Sequence, residues 1–459
     1  MKRQLMKGVA GALALSTALS AGSAAATRAS ARAAQAPAAL PRYAANANRP
    51  VIGQSATRAG ATFTASETHE PAVLAANSAK LTLTGCVIRK TGPNAAVVAA
   101  SPSLVTLNGC AITTDGRGAS GAFAHGANSH IRIANSTIRT NAASEAGAAC
   151  GVAAARDGRV ALDNVNITTN GPRSPALATT VTGTGGTVVA RGGTMTTSGA
   201  GSPVLRSAGH IQVYDVTGTA RHPESHAAIV GGLSTVDAID SDLTGPRGGV
   251  LFEPSAGTST YTMTGGSLTA LTGPAFDVRG TAAKISVRGG AAITAGSGVL
   301  VNVTDKGSLT MTLVGQPLTG DVRNTGGGPA TLALKNGATL TGAITHAALE
   351  LDSSSTWTAT GPSTLTVLTG TISGIVGNGH DVYYDPALNE WLGGRAYGLS
   401  GGGTLKPVPM LPMLGFVCYL QLYGCNGLIL SWMWRIGGGP ESSPQQLFLY
   451  SRDWRQHRN

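Results

Sequence analysis

From Leu81 onward the chain alternates apolar and polar residues in short bursts, and the bursts repeat. Leu81-Thr-Leu-Thr-Gly-Cys-Val-Ile88 returns as Val105-Thr-Leu-Asn-Gly-Cys-Ala-Ile112 and as Ile131-Arg-Ile-Ala-Asn-Ser-Thr-Ile138. Val160-Ala-Leu-Asp-Asn-Val-Asn-Ile167 and Val188-Val-Ala-Arg-Gly-Gly-Thr-Met195 continue the series. Period-2 alternation predicts a strand, and the Gly or Asn inside each phrase predicts a tight turn before a second strand.

One apolar residue per phrase serves as a marker: Leu83, Leu107, Ile133, Leu162, Val189 and Val213, then Ile239, Met263, Val287, Leu313, Leu334 and Leu351. Successive markers lie 17 to 29 residues apart. A repeat of this length predicts a solenoid. Helical solenoids need longer repeats and a 3.6-residue pattern, and the Leu-x-x-Leu-x-Leu-x-x-Asn phrase of leucine-rich repeats is missing. The pattern therefore predicts an all-β fold, a right-handed single-stranded parallel β-helix of about 12 turns. Leu83, Leu107, Ile133, Leu162, Val189 and Val213 should stack as one inward ladder. Gly85, Gly109, Asn135 and Asn164 should form a column at a bend, since Gly and Asn tolerate positive φ.

Composition agrees with a slim stack. Gly supplies 64 residues and aromatics only 4%, whereas a compact core relies on large side chains worth roughly 1.5–3 kcal/mol each when buried. The regular supply of Val, Ile and Leu argues against disorder. The net charge of +11 is concentrated at the ends, with +6 in residues 1–70 and +2 in 408–459. Residues 71–407 carry only +3, with no basic stripe interleaved with aromatics, so nucleic-acid binding is not expected.

Domain organisation follows from these shifts. A cationic head (Met1–Lys7), an apolar run (Gly8–Leu19) and small residues to Ala26 make residues 1–26 a secretory signal peptide. Residues 27–70 are an Ala/Arg-rich lead-in and the start of an N-terminal cap, with cap residues sought over 51–80. Residues 71–371 are the β-helix, and 372–407 a C-terminal cap and linker. Residues 408–459 differ in kind. They hold Trp432, Trp434, Trp454, Cys418 and Cys425, and 408–434 carry no charge. This tail reads as a truncated or frame-shifted remnant, or as a membrane anchor broken by polar and glycine residues.

The secretion signal, the repeated Leu-Thr-Leu-x-Gly-x-x-Ile phrase and the late segment Val382-Tyr-Tyr-Asp-Pro386 with Trp391-Leu-Gly-Gly394 resemble pertactin-like autotransporter passengers of Gram-negative bacteria. The resemblance spans roughly residues 70–405. It implies an exported monomer at the cell surface, outer membrane or outside the cell, acting in adhesion or virulence-associated interaction with a host-surface, matrix or glycan ligand. The translocator barrel that follows such passengers is not expected within 459 residues. The alternatives are a β-helical polysaccharide lyase or hydrolase, and a degenerate remnant without activity.

Candidate chemistry is sparse. Cys86 and Cys110 occupy the same place in adjacent phrases, and neighbouring strands stand within disulfide range, which makes the pair a candidate bridge in an exported chain. Cys150 has no evident partner. His222 and His226 sit in a loop whose Pro223 undoes helical metal-ligand spacing. Asp237, Asp240 and Asp242, with Arg221 and Arg247 nearby, are the only acids suggestive of a hydrolytic groove. In one strand Asp240 and Asp242 would share a face and Asp237 the other. No catalytic, cofactor-binding or metal residue is assigned.

Overall fold

The computed structural model describes residues 51–52, 55–68, 70–141, 148–180 and 185–409. The expected signal peptide, most of the lead-in and almost all of the anomalous tail lie outside the described residues.

The described chain is a parallel β-helix of about 14 turns, the fold that the resemblance implies. Each turn lays down three strands, for example Val97–Ala100, Ser103–Asn108 and Ala111–Thr114. Each pairs in parallel with its counterparts one turn away. Val98 faces Leu74 and Phe123, Leu107 faces Leu83 and Ile133, and Ile112 faces Ile88 and Ile138. These strands build three faces, called first, second and third in chain order.

The ladder runs Leu83, Leu107, Ile133, Leu162, then Ala190 and Val213. Ala238, Met263, Val287, Leu313, Leu334 and Leu351 continue it. Val189 and Ile239 stand one residue out of phase and are half-buried on the outer side. The corner sets the phase. Gly85, Gly109, Asn135, Asn164, Gly192, Asp215 and Asp240 have φ of 60°, 62°, 48°, 50°, 62°, 53° and 46°, and each follows its ladder residue by two. Where Val188-Val189-Ala190 offers three apolar neighbours, only that offset identifies the inward one.

Among the described residues two turns lie beyond the twelve marked ones. The first is built from Val51–Ile52, Ala56–Ala59 and Thr62–Ala65, and the last ends at Ile375–Val376. Within 51–65 the described residues thus supply the three strands of a turn. An apolar marker misses both because Arg58 and Gly370 hold the ladder position there.

At Gly109 the nearest atom to an added Cβ would be 3.9 Å away, so conformation rather than space excludes other residues. Gly109→Val should therefore destabilise by about 1–2 kcal/mol, the cost of a left-handed L-residue. Gly109→Asn should cost much less, as Asn135 already fills the next corner. Urea unfolding of the two variants checks this, and equal losses would refute the conformational explanation.

One hydrophobic core runs along the interior, and a second, smaller cluster of Leu74, Val98, Phe123, Cys150, Ala153 and neighbouring alanines packs along the first face. One inward column is polar: Thr114, Thr140, Thr169 and Thr197 are fully buried. Their hydroxyls donate to the carbonyls of Ala119, Ala149, Ser174 and Ser202 at 2.6–2.8 Å, tying down the loop that leaves each turn. Lys90 occupies the same column one turn earlier, and its ammonium donates to the Glu67 carbonyl.

The third face breaks once, between Ala292–Ala295 and Pro317–Thr319. Neighbouring rungs run from Ala292 N to Gly266 O and from Thr339 N to Gln316 O. Pro317 has no N–H to make the rung between them. The buried Gln316 amide donates to Ala291 O instead, at 3.4 Å.

Candidate functional site

Alternation along the second face sends Ile131, Ile133, Val160, Leu162, Val188 and Ala190 into the core. The residues between them must point outward. His130 and Arg132 emerge from Ser129–Ala134, Arg159 from Arg159–Asp163, and Arg191 from Thr187–Arg191. His130 pairs with Arg159 across the ladder, and Arg191 with Tyr214. Arg156 joins them from the corner that feeds the strand, at φ 49°. All four arginines are exposed.

The result is a basic band over three turns. Two acids belong to the same surface: Asp163 is the ladder partner of Arg191 on the preceding turn, and Asp157 follows Arg156 at the corner. Burial and then Arg156 lower the pKa of His125; burial and then Arg159 and Arg132 lower that of His130. Both imidazoles are therefore biased toward neutrality, and the guanidinium groups carry the charge. Arg191 is held over the Tyr214 ring, 4.0 Å from its centroid, a cation–π contact that fixes a long side chain in place. Two turns beyond Arg191 the surface carries an acid: Asp237 accepts from Gln212 Nε2 and pairs with His210 Nε2, both at 3.1 Å.

Reading residues in chain order misses this band, because its members lie far apart in sequence. The signal appears once the phrases are aligned on their corner residues and the outward positions are read down the stack.

The expected sites fall as follows. Cys86 and Cys110 occupy one inward column on adjacent turns and are buried free thiols. Cys86 Sγ donates to Thr84 O at 3.4 Å, and Cys110 Sγ to Asn108 O at 3.5 Å and Leu83 O at 3.6 Å. Burial pushes the Cys110 thiol pKa up. Cys150, also buried, is pushed up to about 11 for the same reason. Cys418 and Cys425 lie outside the described residues.

Asp237, Asp240 and Asp242 separate. Asp237 faces outward on the second face, Asp240 is a corner residue, and Asp242 stands on the third face accepting from Ser267 Oγ at 2.6 Å. The sharing of one face by Asp240 and Asp242 fails because the corner intervenes. His222 remains in its loop, while His226 begins the strand His226–Val230 and is buried. Burial, followed by Arg247, lowers the His226 pKa to about 4. Among the described residues no group of three or more His, Cys, Asp or Glu side chains is placed to hold a metal ion.

Near the C-terminal end a shallow cleft of about 340 Å³ is lined by Val367, Leu368, Thr369, Gly370, Leu388 and Trp391. Leu388 and Trp391 are each more than half exposed.

No protein-family model and no curated protein matches the sequence. Among solved structures, the chain is similar to one in the cryo-EM structure of the Vag8–C1 inhibitor complex. The two share 18% identity at a TM-score of 0.45, over 69% of this chain and 88% of that chain.

Proposed function

We propose that the chain is an exported, autotransporter-type β-helical passenger that acts in adhesion or another virulence-associated interaction at the cell surface. The basic band carries this reading. The inward columns are consumed by packing and loop closure, which leaves the outer surface to meet a partner. There the register gathers Arg132, Arg156, Arg159 and Arg191 from a body that is otherwise nearly neutral. The secretory-type leader supports export. The dispersal of Asp237, Asp240 and Asp242 removes the paired carboxylates that a glycan hydrolase requires at a fixed separation.

Export and binding can be tested together. Expressed with its leader in a Gram-negative host, the chain should appear at the cell surface or in the medium. The purified product should bind host cells or matrix proteins saturably. A chain retained in the cytoplasm, or an exported chain that binds no cell and no matrix, would sink the proposal. Release of reducing or unsaturated sugars from a glycan panel would point to the lyase or hydrolase alternative instead.

A further inference from the structure

We propose that the band formed by Arg132, Arg156, Arg159 and Arg191 is a binding site for a sulfated glycan chain; this rests on reading the protein as an exported interaction passenger. The geometry points to a polyanion rather than a single small anion. All four arginines are exposed, so one or two of them would hold an isolated anion weakly against water. Turns stack ~4.8 Å apart, and alternate residues of a strand stand ~6.6 Å apart. Arg132, Arg159 and Arg191 lie on three successive turns but in three columns, Arg159 in that of His130 and Arg191 in that of Ala134 and Asp163, so a flexible chain crossing the strands obliquely meets one guanidinium per turn. The planar guanidinium fork matches sulfate and carboxylate oxygens in paired hydrogen bonds. Arg191 is already immobilised on Tyr214, which lowers the ordering cost of engaging it.

The same surface suits a nucleic acid poorly. Single-stranded nucleic acids are gripped by aromatic rings that stack on the bases. Tyr214 is the aromatic side chain beside the band, and its ring face is covered by Arg191. Export also places the surface where sulfated glycans of host cells and matrix are met.

The test uses the exported chain and fluorescent heparin over a range of salt. Binding should weaken steeply as salt rises, because released counterions drive it. The double variant Arg132→Ala/Arg159→Ala should bind at least about tenfold more weakly and lose roughly two units of the log–log salt slope, about one per cation removed. Arg139→Ala, an exposed arginine on the third face of the same turn as Arg132, should match wild type. Circular dichroism guards against loss of fold in the variants. The assignment is overturned if wild type binds neither heparin nor chondroitin sulfate at low salt. It is equally overturned if the double variant binds as well as wild type, or if single-stranded DNA of equal charge binds more tightly than heparin. Host-cell binding that persists after glycosaminoglycan lyase treatment would keep the interaction role and remove this ligand. Absence of any cell binding would remove the role, while heparin binding still judges the site.

Discussion

Trp357→Ala should lower the unfolding free energy by about 3–5 kcal/mol, the range for emptying a large aromatic site in a packed core. Trp357 is fully buried and stands between Leu340 and Ile375 in the third-face column. Its indole Nε1 donates to Gly342 O at 2.8 Å, so alanine also orphans a buried carbonyl. Turns here are short, with Leu334 and Leu351 only 17 residues apart, and one large side chain fills the narrowed interior. Each turn of a solenoid contacts only its neighbours. The damage should therefore be local, with turns from about residue 339 onward opening before the N-terminal ones. Urea unfolding combined with mapped proteolysis reads both the size and the place of the effect. A loss under about 1 kcal/mol, or cleavage starting near residue 100, would contradict this account of the core.

Much of this architecture can be read from the sequence, and the reason is physical. A turn that buries its inner face against the next must repeat apolar residues at fixed places. A corner requiring positive φ must repeat Gly, Asn or Asp. Both demands are local, so Leu83, Leu107, Ile133 and Leu162 and their corners Gly85, Gly109, Asn135 and Asn164 declare themselves. What escapes sequence reading is set by comparison between turns. Val189 and Ala190 are both apolar, and only the offset from Gly192 assigns the inward role to Ala190. The first described turn escapes because Arg58 occupies its ladder position. The break at Pro317 is visible as a proline, but its repair by the Gln316 amide depends on which carbonyl is left without a partner.

The functional surface is less legible still, because outward positions obey no packing rule. Arg132 and Arg159 are far apart in the chain and become neighbours only through strand register. Charge summed along residues 71–407 hides the band, since Asp and Glu elsewhere on the helix cancel it. The acids misled for the opposite reason: Asp237, Asp240 and Asp242 lie close in sequence, yet the corner at Asp240 turns them apart.

Asn389→Ala should destabilise the C-terminal end by about 3 kcal/mol, because it strips the edge of the last long strand of its partners. The strand Ser363–Gly370 pairs with Val382–Tyr384 only through Leu365. Beyond that point Asn389 takes the place of a strand. Its fully buried amide accepts from Leu368 N at 2.7 Å and donates to Thr366 O at 2.8 Å and Asp385 O at 2.7 Å. Trp391 Nε1 adds a bond to Leu368 O at 3.1 Å. A buried group left without a partner costs about 1–3 kcal/mol, and alanine abandons the buried Leu368 N–H together with two half-buried carbonyls, Thr366 O and Asp385 O. Trp391→Phe loses one bond at a half-exposed position and should cost nearer 1 kcal/mol. An uncovered strand edge is also a template for another chain, so Asn389→Ala should self-associate as concentration rises, whereas Trp391→Phe should not. Denaturant midpoints and light scattering across a concentration series measure the two effects. If Asn389→Ala keeps wild-type stability and remains monomeric, the side chain is not the cap. The edge would then have to be protected by the loop backbone around Asp385–Leu392 alone.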